Sequence, residues 1–235
     1  MYADTMSQVS AKQTFGECAR TMMKRSEIMV QWGSRQRQTT YNNMKGSVVM
    51  ASVLTQEKFH TVDDIYSLPE GSRAELIDGQ IYYMAPPSRR HQAIARELFS
   101  SIHSYLKSKG GSCESFFAPF AVFLNGDDTN YVEPDISVIC DPGKLNDKGC
   151  TGAPDWIIEI VSPGSRRMDY FTKLFKYRTA GVREYWIVDP EKDRIFVYNF
   201  ESEDTEDYTF SDSIKVGIYD DMYINFSNIA NLLNI

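Results

Sequence analysis

The sequence predicts an α/β fold in which a mixed central β-sheet is flanked by helices. From residue 61 onward, helical and strand patterns follow one another in the order helix, hairpin, helix, strands, helix, strand. The strand patterns are short and rich in β-branched and aromatic residues. Of the 235 residues, 42% are hydrophobic, which is enough for a sizeable core, and no apolar run approaches the ~18 residues of a membrane span.

The first elements are a short helix, a hairpin and a long helix. Thr61 precedes two acids and predicts a helix N-terminus, with the helix ending before Pro69. Residues 74–84 predict two apolar strands around an Asp-Gly turn. Ser88 predicts the cap of a helix that Gly110 ends. Its apolar residues recur every four positions, at Ile94, Leu98, Ile102 and Leu106.

The second half of the chain predicts more strands around one helix. Strand candidates are residues 115–124, 131–140, 155–161, 184–188 and 195–200. Residues 167–179 predict a helix whose stripe of Tyr170, Phe171, Leu174 and Phe175 should face a core. The acidic run 201–207 predicts a solvated loop. A last strand and a short helix over 227–233 complete the pattern.

Residues 1–50 differ from the rest and are treated as a poorly ordered or weakly helical N-terminal extension, with the folded domain over 51–235. The extension is interpreted either as a flexible basic arm or as upstream sequence translated from a misassigned start. No signal peptide is expected, because no charged start precedes an apolar stretch. The cysteines, which lack metal-ligand spacing, predict reduced thiols in a cytoplasmic protein and no zinc site. They are Cys18, Cys113, Cys140 and Cys150.

The charge of the chain restricts how it could bind nucleic acid. The net charge is −7, and the first fifty residues carry +4, which leaves −11 on the remainder. An acidic body repels phosphate at long range, so tight, non-specific duplex binding is not expected. A site made of carboxylates is compatible with this charge, since it needs negative groups to hold a metal ion.

Two carboxylates on neighbouring strand candidates predict a metal site. Glu159 lies within Trp-Ile-Ile-Glu-Ile-Val, where strand alternation puts it on one face with Ile157 and Val161. A buried acid there requires a partner or a cation. With Asp135 on the preceding strand, it predicts a hard oxygen site for Mg²⁺ or Mn²⁺. The alternative is a buried salt bridge, in which Lys173 is a candidate partner. Asp155 also follows a proline, but it would stand roughly 13 Å from Glu159 along one strand.

A lysine on the following helix completes this candidate site. Asp169, Lys173 and Tyr177 recur every four residues and share one helix face. Lys173 could orient a nucleophilic water or stabilise charge that develops on a phosphate. The alternative is an intrahelical Asp169–Lys173 pair with no chemical role. Lys176 is a second candidate lysine, one turn away.

Four further residues are weaker candidates. Glu75 could supply a third carboxylate, or be a solvent-facing strand residue. His91, accompanied by Arg89 at the start of the long helix, could contact phosphate, because helix N-termini bind anions; a structural histidine is the alternative. Arg166, just after a Ser-Pro turn, could act in the same way, or belong to a solvated loop.

Taken together, these motifs resemble the Uma-two family of restriction-type endonucleases, within the PD-(D/E)XK nuclease superfamily. The resemblance spans roughly residues 55–200. The motifs in this order along the chain are more specific to the family than any one of them alone. The motifs are Glu-Leu-Ile-Asp-Gly at 75–79, the helix opening at His91, Glu-Pro-Asp at 133–135, Pro-Asp-Trp-Ile-Ile-Glu-Ile-Val-Ser-Pro at 154–163, the Asp169, Lys173 and Tyr177 series, and Gly-Val-Arg-Glu-Tyr-Trp-Ile-Val-Asp-Pro at 181–190.

This resemblance implies a restriction-endonuclease-like core and Mg²⁺-dependent (or Mn²⁺-dependent) hydrolysis of phosphodiesters. It implies that Asp135, Glu159 and Lys173 are catalytic and that Glu75 joins the two acids as a metal ligand or supports them. The superfamily places lysine two residues after the glutamate, where this chain has Val161. Lys173 resembles the displaced lysine of the family, and Tyr177 is taken as a further substrate contact.

The leading hypothesis is an endonuclease that cuts DNA, with a homodimer suggested by analogy and no membrane partner. A catalytically inactive nuclease-fold module that binds nucleic acid or protein is the alternative, because fold does not determine function. Hydrolysis of a smaller phosphate ester is a third hypothesis.

Overall fold

The structure is a computed structural model that describes residues Lys58 to Leu233 and, before them, a short antiparallel pair formed by β1 (Tyr41–Asn42) and β2 (Val48–Val49). The chain divides into two units, Met1–Glu57 and Lys58–Ile235. The predicted boundary after residue 50 lies outside the described residues. The candidate site belongs to the second unit.

The second unit alternates short strands with helices, as the sequence predicts. Its helices are α1 (Val62–Tyr66), α2 (Arg89–Lys109), α3 (Leu174–Ala180) and α4 (Phe226–Leu233), with a 3₁₀ turn at Pro142–Lys144 and a π-helical segment, Met168–Lys173, that runs directly into α3. Its strands are β3 (Ala74–Ile77), β4 (Gln80–Tyr83), β5 (Glu114–Phe117), β6 (Val122–Phe123), β7 (Ile136–Ile139), β8 (Leu145–Asn146), β9 (Gly149–Thr151), β10 (Trp156–Ile160), β11 (Glu184–Asp189), β12 (Arg194–Asn199), β13 (Asp204–Tyr208), β14 (Ser213–Lys215) and β15 (Tyr223–Asn225).

Six strands form the central mixed sheet, in the spatial order β13-β12-β11-β10-β7-β5. Only β10 and β11 run parallel to each other; the other neighbouring pairs in this sheet are antiparallel. Since β10 and β7 are antiparallel, the end of β10 and the start of β7 lie side by side at the edge of the sheet that is formed by strand ends. Glu159 and Asp135 are therefore brought to one edge.

Each face of the sheet has its own apolar core. On one face, α2 packs through Ile94, Leu98 and Ile102 against side chains such as Trp156 and Trp186. On the other face, Ile157 and Tyr185 of the sheet pack with Tyr177 of α3. The arrangement is the predicted α/β class. None of the helices in the described part of the chain combines the length and apolar character that crossing a bilayer requires.

The predicted caps and turns before the sheet are confirmed. The backbone N–H of Thr61 donates to Asp64 Oδ2 at 3.0 Å, as expected at a helix N-terminus. Asp78 and Gly79 both adopt positive φ (50° and 72°), the conformation that Asp-Gly hairpin turns favour. The Ser88 hydroxyl accepts the N–H of His91 at 3.1 Å, which fixes where α2 begins.

Two predicted strands are shorter than the sequence suggests. Residues 115–124 form β5 and β6 rather than one strand, because Pro119 lacks the N–H that a ladder needs. Within 131–140, only β7 forms a continuous strand. Tyr131 and Val132 make single bridges to other elements, so Asp135 stands just before the ladder instead of within it.

Two predictions near the C-terminus are wrong in detail. The acidic run predicted as a loop overlaps β13, the edge strand that pairs with β12. Its acidic side chains stay exposed, and charges on an edge strand prevent further strand addition. The single last strand is in fact the pair β14 and β15.

The prediction of reduced cysteines is also wrong for one pair. Cys113 and Cys140 form a disulfide, whereas Cys150 is buried and free. Cys113 precedes β5 and Cys140 follows β7. Because these strands are antiparallel with Glu114 opposite Ile139, the two cysteines face each other across the end of the pair.

Candidate catalytic site

Glu159 is the second-to-last residue of β10 and lies on the face of the sheet that α3 covers. It shares that face with Ile157 and Val161, as strand alternation predicts, and is only 4% exposed. Its Oε1 accepts the Tyr177 hydroxyl at 2.6 Å and lies 2.9 Å from Lys173 Nζ. The acid is therefore held in the core by charged and polar partners.

The partners of Glu159 come from one face of the helix that follows. Asp169, Lys173 and Tyr177 are all buried on that face, across the π-helical segment and α3. The predicted burial of the Phe171 and Phe175 side chains is wrong, since they are 69% and 59% exposed. The polar face points inward because its partners are acids on the sheet and on β3. π-Helical segments often occur at functional sites.

Glu75 brings a third carboxylate from the hairpin. β3 lies beside Tyr131, with Leu76 and Tyr131 exchanging backbone hydrogen bonds of 2.7 and 2.8 Å. This positions both carboxylate oxygens of Glu75 2.9 Å from Lys173 Nζ. Glu75 Oε1 also accepts the N–H of Glu133 at 3.0 Å. Glu75 is thus buried in the site and is not a solvent-facing strand residue.

Asp135 and His91 form a second group at the same edge. Asp135 Oδ2 accepts the N–H of Ile160 at 2.7 Å and lies 3.0 Å from His91 Nε2. Burial would lower the pKa of His91, but the hydrogen bond and negative charge of Asp135 outweigh it and raise the pKa above its ordinary value. The Asp135 side chain is 19% exposed, which makes this group the more accessible part of the site.

The buried acids outnumber the one lysine that lies among them. Burial and the neighbouring acids raise the pKa of Glu159 well above its ordinary value, although Lys173 opposes this. Burial is also the main reason that the pKa of Asp169 rises to about 6. Burial would lower the pKa of Lys173, yet Glu159 and Glu75 raise it further. Lys173 therefore stays charged, whereas the carboxylates around it can all be ionised together only at a cost in free energy.

The remaining predicted residues are an arginine in ion pairs, an exposed arginine and a buried tyrosine. Arg166 pairs with Asp189 at 3.2 Å and Glu191 at 2.8 Å, so two carboxylates engage its guanidinium. Arg89 is exposed in the first turn of α2. Tyr177, predicted as a substrate contact, is buried between α3 and the sheet and donates a hydrogen bond to Glu159.

The two alternatives for the acid and the lysine also lie elsewhere. Asp155 Oδ2 accepts the N–H of Cys140 at 2.7 Å, and its Oδ1 lies 3.3 Å from Arg183 Nη1. It is a structural acid at the start of β10. Lys176 pairs with Asp78 of the hairpin turn rather than with the buried acids.

Asp169 is the site residue that sequence reasoning missed. The four-residue spacing puts Asp169 on one helix face with Lys173 and Tyr177, but the only role considered for Asp169 is an intrahelical pair with Lys173, and that pair is loose, at 3.8 Å. Asp169 is buried, and its Oδ1 has no hydrogen-bond partner. An acid at this spacing, inside a run of aromatic residues, was the available signal that it faces inward.

The donor chemistry of the site fits a hard divalent cation. Carboxylate oxygens are the ligands that Mg²⁺ and Mn²⁺ favour. The unpartnered Asp169 Oδ1 and a set of acids that outnumber the one lysine fit an added cation. Within the described residues, no group of three acidic, histidine or cysteine side chains is already arranged to hold a metal ion. Lys173 instead occupies the space between Glu75 and Glu159.

The fold and site together define the class: an α/β protein of restriction-endonuclease type, with a buried cluster of carboxylates and lysine at one edge of a mixed sheet. The family model Uma2, described as "Putative restriction endonuclease", matches residues 57–216. This match covers more than half of the chain, and the chain belongs to that family.

Two individual proteins are similar to this chain. The uncharacterized protein slr1290 of Synechocystis sp. (strain ATCC 27184 / PCC 6803 / Kazusa) is 29% identical over 126 residues, which cover 53% of this chain and 65% of that protein. The crystal structure of a protein described as a "putative nuclease belonging to DUF820", from Anabaena variabilis ATCC 29413, has a TM-score of 0.61 at 24% identity. The match covers 74% of this chain and 98% of that one, and at this identity it shows a shared fold.

Proposed function

We propose that this protein is an endonuclease of the PD-(D/E)XK type that hydrolyses phosphodiester bonds in DNA with Mg²⁺ or Mn²⁺ as cofactor. The observation that carries the proposal is the cluster of Glu75, Glu159 and Asp169 around one lysine, with Asp135 at the same sheet edge. Such an excess of buried negative charge is costly for a merely structural site.

In this proposal Glu75, Asp135 and Glu159 hold the cation. A bound divalent cation would polarise the phosphodiester and lower the pKa of an attacking water. Lys173 supplies a positive charge for the phosphate as negative charge develops on it. Tyr177 fixes the Glu159 carboxylate through its 2.6 Å hydrogen bond, and His91 fixes Asp135 at 3.0 Å.

DNA would approach the site from the side of Asp135 and His91. The first turn of α2 carries both His91 and the exposed Arg89. Helix N-termini favour anions, so this turn is suited to contact a phosphate next to the one that is cut. The proposal includes a homodimer that cuts both strands and a cytoplasmic location, although the Cys113–Cys140 bond is uncommon in that compartment.

A plasmid-nicking assay with Mg²⁺, Mn²⁺ or EDTA tests the activity, with single-stranded DNA as a second substrate. Asp135→Asn should reduce cleavage by about 100-fold or more, the effect typical of losing one electrostatic catalytic group. Asp155→Asn is the matched control, because Asp155 also follows a proline and is structural. Its cleavage rate should match that of the wild type. No cleavage by the folded wild type with either metal, or equal rates in both variants, would contradict the proposal.

A DNA- or protein-binding module without activity is the second candidate. The observation that favours it is the position of Lys173, whose ammonium satisfies Glu75 and Glu159 without a metal. This candidate predicts DNA binding that survives EDTA and no cleavage under any metal condition. Hydrolysis of a smaller phosphate ester would instead give turnover of bis-p-nitrophenyl phosphate with intact plasmid.

A further inference from the structure

Lys173 lies among three carboxylates that hold it unequally. Its Nζ is 2.9 Å from both Glu75 and Glu159, but 3.8 Å from Asp169 Oδ1. Asp169 Oδ1 is buried and accepts no hydrogen bond in the described structure. Asp169 is therefore close to the ammonium, and its Oδ1 is available to accept a hydrogen bond from it.

A cation bound to Glu75 and Glu159 would compete with the Lys173 ammonium for the same oxygens. A displaced ammonium left unpaired in the core would be strongly unfavourable. The lysine side chain is flexible, and Asp169 lies four residues earlier on the same helix face. Asp135 is a poor substitute, because its Oδ2 already accepts from Ile160 and contacts His91.

We propose that Asp169 is a positioning residue that receives the Lys173 ammonium when a divalent cation occupies Glu75 and Glu159. This inference rests on the proposed function. A shift of about 1 Å brings Nζ into hydrogen-bond range of Asp169, since N–H···O distances run from 2.7 to 3.2 Å. Asp169 thereby removes the competitor from the metal ligands and keeps the positive charge inside the site.

Calorimetric titration with Mn²⁺ tests the proposal in the full chain through a double-mutant cycle. Asp169→Asn should weaken Mn²⁺ binding roughly tenfold, an effect of the size expected when two contacting residues are coupled. Lys173→Met should bind Mn²⁺ more tightly than the wild type, since it lacks the competing ammonium. Adding Asp169→Asn to Lys173→Met should then change nothing further.

A second measurement covers the case in which Lys173→Met fails to fold. Lysine labelled with ¹³C at Cε reports the Lys173 environment by NMR while Mg²⁺ is added. The Lys173 signal should shift in the wild type, and the shift in Asp169→Asn should be different and should require more Mg²⁺. An identical response in both proteins would overturn the proposal.

The cycle separates this inference from the proposed function. Equal losses of Mn²⁺ affinity with and without Lys173 would mean that Asp169 binds the cation itself, and no loss in either background would mean that it is structural. Both results overturn the transfer of Lys173 while leaving the metal site intact. If the wild type binds no Mn²⁺ and shows no Mg²⁺-induced shift, the metal-dependent function fails and this inference falls with it.

Discussion

Two buried glutamates on adjacent strands have different environments. Glu184, at the start of β11, is fully buried, and its carboxylate accepts the Trp186 indole N–H at 2.6 Å and the Ile218 N–H at 2.8 Å. Glu159, near the end of β10, is bound by Lys173 and Tyr177 and lies near three other acids. Neutral donors satisfy one glutamate, whereas the other belongs to a cluster with excess charge.

Burial alone therefore does not identify the functional acid. Burial raises the pKa of Glu184, but hydrogen bonds from Gly217, Trp186 and Ile218 oppose that shift. These bonds tie the loop after β14 to the sheet, which is a structural role. Around Glu159 the neighbouring acids add to the effect of burial on the pKa, and Lys173 opposes it. Substituting Glu159 and Glu184 one at a time should therefore have different effects.

The largest difference is expected in activity. Glu159→Gln should lower the Mg²⁺-dependent cleavage rate by about 100-fold or more, because it removes a negative group that acts on the reaction. Glu184→Gln should cleave at the wild-type rate, measured at a temperature where both variants are folded. If both substitutions abolish cleavage in folded protein, the functional contrast is wrong.

Thermal stability should reveal the structural role of Glu184. Glu184→Gln leaves a buried backbone or indole N–H poorly satisfied and should cost about 1–3 kcal/mol. In a domain of this size that lowers the Tm by roughly 2–4 °C per kcal/mol. Thermal unfolding by circular dichroism measures it, with the exposed Glu114→Gln as control. A Glu184→Gln protein as stable as this control would contradict the structural role.

Asp169 should make stability depend on pH. Its pKa is about 6 in the folded protein and 3.8 as the ordinary value. Between these values the folded state binds more protons, so stability falls as pH rises through the window. Asp169→Asn lacks this loss, and its Tm advantage over the wild type should grow from pH 4 to pH 7. A difference that is constant or shrinks with pH would contradict the charge excess.

A smaller effect is expected for the surface arginines. Arg89→Ala should weaken DNA binding a few-fold, because an exposed phosphate contact is lost. Arg166→Ala should bind DNA like the wild type, since Arg166 is paired with Asp189 and Glu191. Fluorescence anisotropy of a labelled duplex, with Ca²⁺ replacing Mg²⁺, measures both. Equal weakening of DNA binding by the two substitutions would contradict a DNA path along the first turn of α2.

Local rules predicted much of the fold and part of the site. Strand alternation placed Glu159 on the same face as Ile157 and Val161, and the Asp-Gly turn fixed the hairpin that carries Glu75. Helical spacing correctly grouped Asp169, Lys173 and Tyr177. These features depend on residues close together in the sequence, where backbone geometry dictates the neighbours.

What was missed depends on contacts between distant segments. Helical spacing shows which residues share a face, but acids on β3 and β10 decided that Lys173, and not Phe171, faces inward. Glu75 and Lys173 are 98 residues apart, so no local pattern predicts that they meet. The Cys113–Cys140 bond likewise follows from the pairing of β5 with β7, which spacing alone does not give.

If Glu159 belongs to a divalent-cation site, Lys173 must move away from it when the cation binds. Anomalous diffraction from crystals soaked in Mn²⁺ would reveal both the bound cation and the new position of Lys173. We expect a manganese peak at ligand distance from Glu159 and from Glu75 or Asp135, with the Lys173 ammonium bonded to Asp169. Crystals at saturating Mn²⁺ with no peak there, and with Lys173 still bonded to Glu75 and Glu159, would contradict the claim.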